Sequence, residues 1–217
     1  MNDAAPLYPV SLKLHGRLCL VVGGGSIALR KAGELLACGA RVRVVASSFP
    51  ADFSALDPHP ALMRITRRFV ATDLDGVFLV VAATDDAEAQ RAVSRAAEAR
   101  SLLCNVVDVN GLCSFYVPAT LRRGSLAVSV ATDGKFPILA VALRDWLRDR
   151  IGPQIGPALE RLAEARAQVR RRHPDDPARR ARLLRALLSP ASLALLLEDR
   201  LEDFEAHRRS WQSSSLD

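Results

Sequence analysis

The sequence predicts an α/β fold: a parallel sheet wound on both faces by helices, followed by a small strand-and-helix region and a helical C-terminal domain. Three observations carry this. Short β-branched runs alternate with helical stretches from Arg17 to about Asp108. A glycine-rich turn, VVGGGSIA, joins the first such run to the first helical stretch. After Asn110-Gly111 the alternation gives way to two short strand-like runs and then to helices. At 217 residues the chain can hold one large domain or two small ones, each with its own core.

Taken in order, RLCLVV, SIALRKAGELLACG and ARVRVVA read as strand, helix and strand, the size of one βαβ unit. Ala28, Ala32, Leu35 and Leu36 recur at helical steps, and Gly39 follows as a stop signal. LMRITRRFV is predicted to be a strand, ATDLDG a turn, and GVFLVVAAT a strand buried on both faces. TDDAEAQRAVSRAAEARS reads as a helix with an Asp near its N-cap, and SLLCNVVDV as the fifth strand, ending in Asp108. The repeated strand-helix-strand order makes the sheet parallel and doubly wound, or Rossmann-like. LCSFYVPATLRRGSLAVSVATDG then supplies two strands joined by RRGS. FPILAVALRDWLRDRI, ALERLAEARAQVRRR, DPARRARLLRALL and SLALLLEDRLEDFEAH are read as four helices, punctuated by Pro153, Pro157, Pro174, Pro177 and Pro190. The expected division is 1–112, 113–150 and 151–217.

Composition narrows the function classes. With 49% hydrophobic residues and no apolar run of membrane-spanning length, the chain reads as globular, with no membrane partner. Its first residues lack the pattern of a secretory leader, so a cytoplasmic location is expected. Cys19, Cys38, Cys104 and Cys113 include no two-residue-gap pair, and the four histidines no i, i+4 pair, so no metal site is expected. The net charge of +6 is concentrated in residues 161–188. Basic helices favour an anionic partner or are simply a solvated face, but no aromatic residue interleaves with them as a nucleic-acid stacking surface requires. Nucleic acid is not expected as a partner.

Gly23, Gly25 and Ala28 match the spacing of a dinucleotide-binding turn, directly after a strand and at the mouth of a helix. There a tight turn, a close backbone approach to a pyrophosphate and close helix-to-sheet packing are each required, and the helix end supplies free N–H groups. A purely structural turn is the alternative. The second strand ends in Ala46, Ser47 and Ser48, where an acid would usually hold the ribose, so this strand does not choose between NAD and NADP. Arg43 could assist NADP, although the V-R-V alternation points it to solvent. Asp108, at the end of the fifth strand, is placed either as a cleft carboxylate or as a cap of the following turn.

The ordered set VVGGGSIALRKA, VVAATDD, CNVVD, CSFYVPA and GKFPILA resembles the precorrin-2 dehydrogenase and ferrochelatase family, which includes the N-terminal module of siroheme synthase. The resemblance runs from PVSLKLHGR to the helical tail. It implies an NAD-dependent oxidation of precorrin-2 to sirohydrochlorin, and it accounts for the absent ribose acid, which the family also lacks. By position it implies cofactor contacts from Gly23, Gly24, Gly25, Ser26 and Ile27, with Ser47 and Ser48 by the ribose and Thr84 beside the nicotinamide half. Asp108 matches the catalytic aspartate. Homodimerisation through residues 113–150 is also implied.

The substrate is an anionic tetrapyrrole, which gives the basic residues a purpose: Arg122, Arg123 and Lys135, with Ser114 and Thr132, are the candidate substrate residues. Iron insertion at the same site is left open, since Asp108 could serve as its base. An NAD-binding sensing module without catalysis is the rival reading; it shares the glycine turn but gives no reason for Asp108 and CSFYVPA together. The chain departs from many siroheme synthase modules in one loop. Thr132, Asp133, Gly134 and Lys135 replace a serine-glycine-glycine run and Phe136 a small hydroxyl residue, which puts a regulatory serine there in doubt. A fused methyltransferase module is not expected before Asp217.

Overall fold

A computed structural model describes residues 6–215, which form two compact units divided between Val117 and Pro118. In the first, β1 (Leu18–Val22), β2 (Arg41–Ala46), β3 (Leu62–Thr66), β4 (Leu79–Ala82) and β5 (Leu103–Val106) form a parallel sheet in the order β3-β2-β1-β4-β5. The helices α1 (Ser26–Ala37) and α2 (Ala87–Glu98) connect β1 to β2 and β4 to β5. The expected doubly wound sheet is present.

Two apolar clusters explain the strand composition. Cys19, Val21, Val42 and Val44 pack with Ala28 and Ala32 of α1 on one face. Leu20, Val22, Val45 and Val80 pack with Val93 and Ala97 of α2 on the other. Strands covered twice have no solvent side on which to place polar residues, so β1 and β4 read as unbroken apolar runs. Gly39 ends α1 at φ 76°, a conformation that L side chains rarely adopt, and its carbonyl accepts from the Gly16 N–H at 2.8 Å.

Three expectations are corrected here. The strand predicted over 62–70 stops at Thr66; Arg67 forms a bend, and Arg68 and Phe69 follow without regular structure. Arg43 does not point to solvent: it is half-buried, and its Nη1 donates to the Asp73 carbonyl at 2.9 Å. The fifth strand is shorter than read, so Asp108 lies two residues past its end, at φ 62°.

In the second unit, β6 (Ala119–Arg123) and β7 (Leu126–Val130) pair antiparallel through a two-residue turn with Gly124 at φ 57°, as RRGS suggests. Five helices follow: α3 (Pro137–Arg148), α4 (Ile155–Arg172), α5 (Pro177–Leu187), α6 (Pro190–Leu197) and α7 (Leu201–Ser215). The single helix read from SLALLLEDRLEDFEAH is thus two. Asp199 adopts φ 61° between them, and its carboxylate accepts from the Gln154 N–H at 3.0 Å. Ala165, Val169, Leu187 and Trp211 form one core of this unit, and Ala158, Leu196 and Phe204 another. Glu205 is buried beside them, with Arg161 and Arg208 each 3.0 Å from its carboxylate. No helix among the described residues is long and apolar enough to cross a membrane.

Candidate dinucleotide site

A cleft of about 510 Å³ lies across the C-terminal ends of the first unit's strands, where sheets of this type bind ligands. The turn after β1 occupies its middle with Gly23, Gly24 and Gly25, Ser47 and Ser48 follow β2, and Thr84 follows β4. Six of the residues singled out from the sequence therefore share one cavity. Ser26 and Ile27 form the first turn of α1, directly after Gly25, and are exposed.

Each glycine answers to a different neighbour. Gly23 sits at φ 129°, and a Cβ there would lie 2.1 Å from the Ala83 carbonyl oxygen. A Cβ on Gly24 would meet the Ser48 carbonyl oxygen at the same distance, whereas one on Gly25 would meet nothing within 4 Å. The backbone is thus packed tight against β4 and β2 but open toward the cleft at Gly25. Gly25 is also the N-cap of α1, makes no side-chain cap, and is followed by a first turn without an acidic residue. The N–H groups of that helix end lack the side-chain acceptor that commonly satisfies them, which suits an incoming phosphate. The start of α2 differs: the Asp86 carboxylate accepts from the Glu88 and Ala89 N–H groups at 2.9 and 3.1 Å. The residues present fit a dinucleotide.

Thr84 is held in place. Its hydroxyl accepts from the Asp86 N–H at 3.3 Å and its carbonyl from Gln90 Nε2 at 2.7 Å. The β4–β5 register ends at Ala82 and Val106, with the Val107 N–H donating to the Ala82 carbonyl, and Asp108 follows that strand end without lining the cleft. Asp108 is exposed, and among the described residues its carboxylate makes no hydrogen bond or ion pair. Nothing ties it into the Asn110–Leu112 turn, which is capped by Val109 without a side-chain bond.

The segment after that turn pins the end of β5. Cys113 Sγ lies 3.2 Å from both the N and O of Val106, and Asn105 Nδ2 donates to the Phe115 carbonyl at 3.0 Å. Ser114 Oγ accepts from the Cys104 N–H at 2.8 Å. The CNVVD and CSFYVPA motifs, separate in sequence, therefore meet along one edge of the sheet. Burial pushes the Cys104 thiol up to about 11, with the neighbouring Cys113 adding to it; burial raises Cys113 as well. These thiols serve packing and hydrogen bonding and are poor nucleophiles.

Of the candidate substrate residues, Arg122 is exposed on β6, and Lys135 is exposed in the loop before α3. Arg123 is half-buried and donates to the Ile151 and Arg148 carbonyls at 3.1 and 3.3 Å, tying β6 to the end of α3. Thr132 Oγ1 accepts from the Phe136 N–H at 3.4 Å. Arg67, Arg68, Asp86 and Glu88 also line the cleft and were not foreseen. Reading Arg67 and Arg68 as strand interior hid them; the signal available was that residues ending β3 must lie next to those ending β2.

A family model described as "Putative NAD(P)-binding" matches residues 10–119, just over half of the chain. The chain belongs to this NAD(P)-binding family. The siroheme synthase of Methylococcus capsulatus is 41% identical over 198 residues, covering 91% of this chain and 41% of that protein. The siroheme synthase of Chromobacterium violaceum is 43% identical over 174 residues, covering 80% of this chain and 37% of that protein. The chain thus spans about two fifths of the length of these relatives. The solved structure of SirC, precorrin-2 dehydrogenase, superposes with a TM-score of 0.71 at 26% identity, over 94% of this chain and 100% of that one. The family resemblance read from the motifs is borne out, as is the fold.

Proposed function

We propose that the protein oxidises precorrin-2 to sirohydrochlorin with NAD as hydride acceptor, in siroheme biosynthesis. The observation that carries the reading is the full-length likeness to SirC, precorrin-2 dehydrogenase. The cleft adds chemical support, because an uncapped helix end suited to a pyrophosphate lies in it, and Asp108 follows the end of the neighbouring strand β5.

Bound NAD supplies the hydride acceptor. The chain does the rest. The α1 N–H groups hold the pyrophosphate, and the hydroxyls of Ser47 and Ser48 hydrogen-bond the ribose. Thr84, fixed by Asp86 and Gln90, flanks the nicotinamide half. Asp108 takes the proton that the tetrapyrrole loses with its hydride, and its exposure leaves the carboxylate reachable. Ser114, Arg122, Arg123, Thr132 and Lys135 are the proposed contacts of the substrate's carboxylates.

The protein is proposed to work in the cytoplasm as a homodimer, with residues 113–150 as the dimerisation region and residues 1–112 and 151–217 flanking it. On α3, Ile138, Leu139, Val141 and Trp146 are 72, 47, 41 and 50% exposed. A run of that size on one helix suits a protein partner.

Incubation with precorrin-2 and NAD is expected to produce NADH and sirohydrochlorin in equal amounts. NAD binding without NADH production from precorrin-2 would sink the dehydrogenase reading and leave a cofactor-binding module.

A further inference from the structure

Asp108 stands in a conformation that its own side chain does nothing to hold. Its φ of 62° lies in the left-handed region, which residues other than glycine adopt at a cost and keep only where the surroundings impose it. Its carboxylate has no partner among the described residues, so the backbone alone sets where it points. Asp108 is the third residue of a turn, Val106 to Val109, closed by the Val109 N–H donating to the Val106 carbonyl at 3.2 Å.

The sulfur of Cys113 lies across that turn. Sγ accepts from the Val106 N–H at 3.2 Å and from Asn105 Nδ2 at 3.6 Å, and its S–H faces the carbonyls of Val106 and Val109 at 3.2 and 3.5 Å. One atom therefore touches both ends of the turn. The Val106 N–H is available to it because β5 bonds to β4 through the next N–H, that of Val107, and β5 is the edge of the sheet. The sulfur is itself anchored through the residues on either side of Cys113. The Leu112 carbonyl accepts from Ser94 Oγ of α2 at 3.1 Å, and the Ser114 N–H donates to the Cys104 carbonyl at 2.8 Å. Burial pushes the Cys113 thiol up, so at neutral pH the sulfur keeps the proton that it donates.

We propose that Cys113 is a positioning residue for the oxidation: its sulfur locks the Val106–Val109 turn and thereby aims the Asp108 carboxylate at the substrate. It takes no part in the chemistry itself. The inference rests on the proposed role of Asp108 as the base and deepens it.

Cys113 also packs against the α2 side of the sheet, so the test must divide bonding from packing. Cys113→Val keeps the volume and loses the bonds, whereas Cys113→Ser keeps a donor and an acceptor. With precorrin-2 and NAD, kcat is expected to fall at least about tenfold in Cys113→Val, the loss that a misplaced catalytic group brings. KM for precorrin-2, NAD affinity and the melting temperature should stay close to the parent's. Cys113→Ser should recover most of the lost kcat. Cys113→Ala is the companion variant, so that loss of the bonds is read even if the branched side chain is not accepted by the fold; it should be as slow as Cys113→Val. In an Asp108→Asn background, Cys113→Val should slow the enzyme by less than about twofold more, because residues that act through one another are not additive. Parental kcat in Cys113→Val or Cys113→Ala, a loss in Cys113→Ser as large as theirs, or losses that multiply in the double variant would overturn the inference and leave Asp108 as the base. Parental turnover in Asp108→Asn would overturn the base reading and this inference with it.

Discussion

A Cβ on Gly24 would lie 2.1 Å from the carbonyl oxygen of Ser48, while one on the next residue, Gly25, would touch nothing. Gly24 is thus constrained by the fold, while Gly25 is free of it and is the residue proposed to face the ligand. Gly24→Ala is expected to force the β1 turn away from β2, costing on the order of 1–3 kcal/mol in an overpacked site and weakening NAD through the displaced serines. Gly25→Asn should behave differently. Asn is a favourable N-cap and stability should hold or rise slightly, but its side chain takes the space and the N–H groups proposed for the pyrophosphate, so NAD affinity should fall at least about tenfold. Thermal melts with and without NAD read both effects. Equal NAD affinity in Gly25→Asn and the parent would remove the pyrophosphate from α1.

How much of this was legible in the sequence follows from which signals are local. The glycine turn, the apolar strands and the Asp86 cap are set by neighbours a few residues away, and each was read in place. What the sequence concealed depends on neighbours far along the chain. Arg43 looks outward-facing in an alternating strand because its acceptor, the Asp73 carbonyl, is 30 residues away. Arg67 and Arg68 look like strand residues, but β3 ends at Thr66 and both line the cleft. The break at Asp199 has no glycine or proline to announce it; the compensating bond comes from Gln154, 45 residues away.

The Arg67–Asp73 pair should make the first unit sensitive to acid. Burial alone would raise the Asp73 carboxyl, but hydrogen bonds from Arg67 and the Val70 N–H, with the charges of Arg67 and Arg43, hold it below the usual carboxylate range. A lowered folded-state pKa contributes stability that is fully present above the unfolded value, about 3.9, and is lost as pH falls through the folded value. Asp73→Asn is expected to cost about 1–2 kcal/mol at neutral pH, a modest figure because Arg67 is partly solvated. The gap from the parent should close as the pH drops below 4. A gap independent of pH would show that the carboxylate's charge contributes nothing.

The proposed homodimer predicts a separation of assembly from folding. Ile138 is 72% exposed in the single chain, so Ile138→Asp should leave the melting of an isolated chain almost unchanged. At an interface the same change buries a carboxylate without a partner and should dissociate the dimer. Sedimentation velocity at several concentrations distinguishes the cases. A parent protein that is monomeric throughout, or a variant that remains dimeric, would remove α3 from the interface.

Asp108 carries the sharpest test, and its backbone decides which substitution is informative. At φ 62° it occupies the left-handed region, which Asn and Asp tolerate better than other non-glycine residues. Asp108→Ala would mix a conformational penalty of about 1–2 kcal/mol with any loss of chemistry. Asp108→Asn keeps the shape and the backbone preference and removes only the proton acceptor. If Asp108 is the base, Asp108→Asn should fold and bind NAD as the parent does while precorrin-2 oxidation falls about 10²- to 10⁴-fold. Asp108→Gly, which suits the left-handed backbone, is the companion variant: it should fold well and be as slow as Asp108→Asn. Parental turnover in either would take the carboxylate out of the mechanism. Assay of iron insertion in the same variants separates the two reactions that a base at this position could serve: loss of insertion with oxidation intact would assign Asp108 to chelation instead.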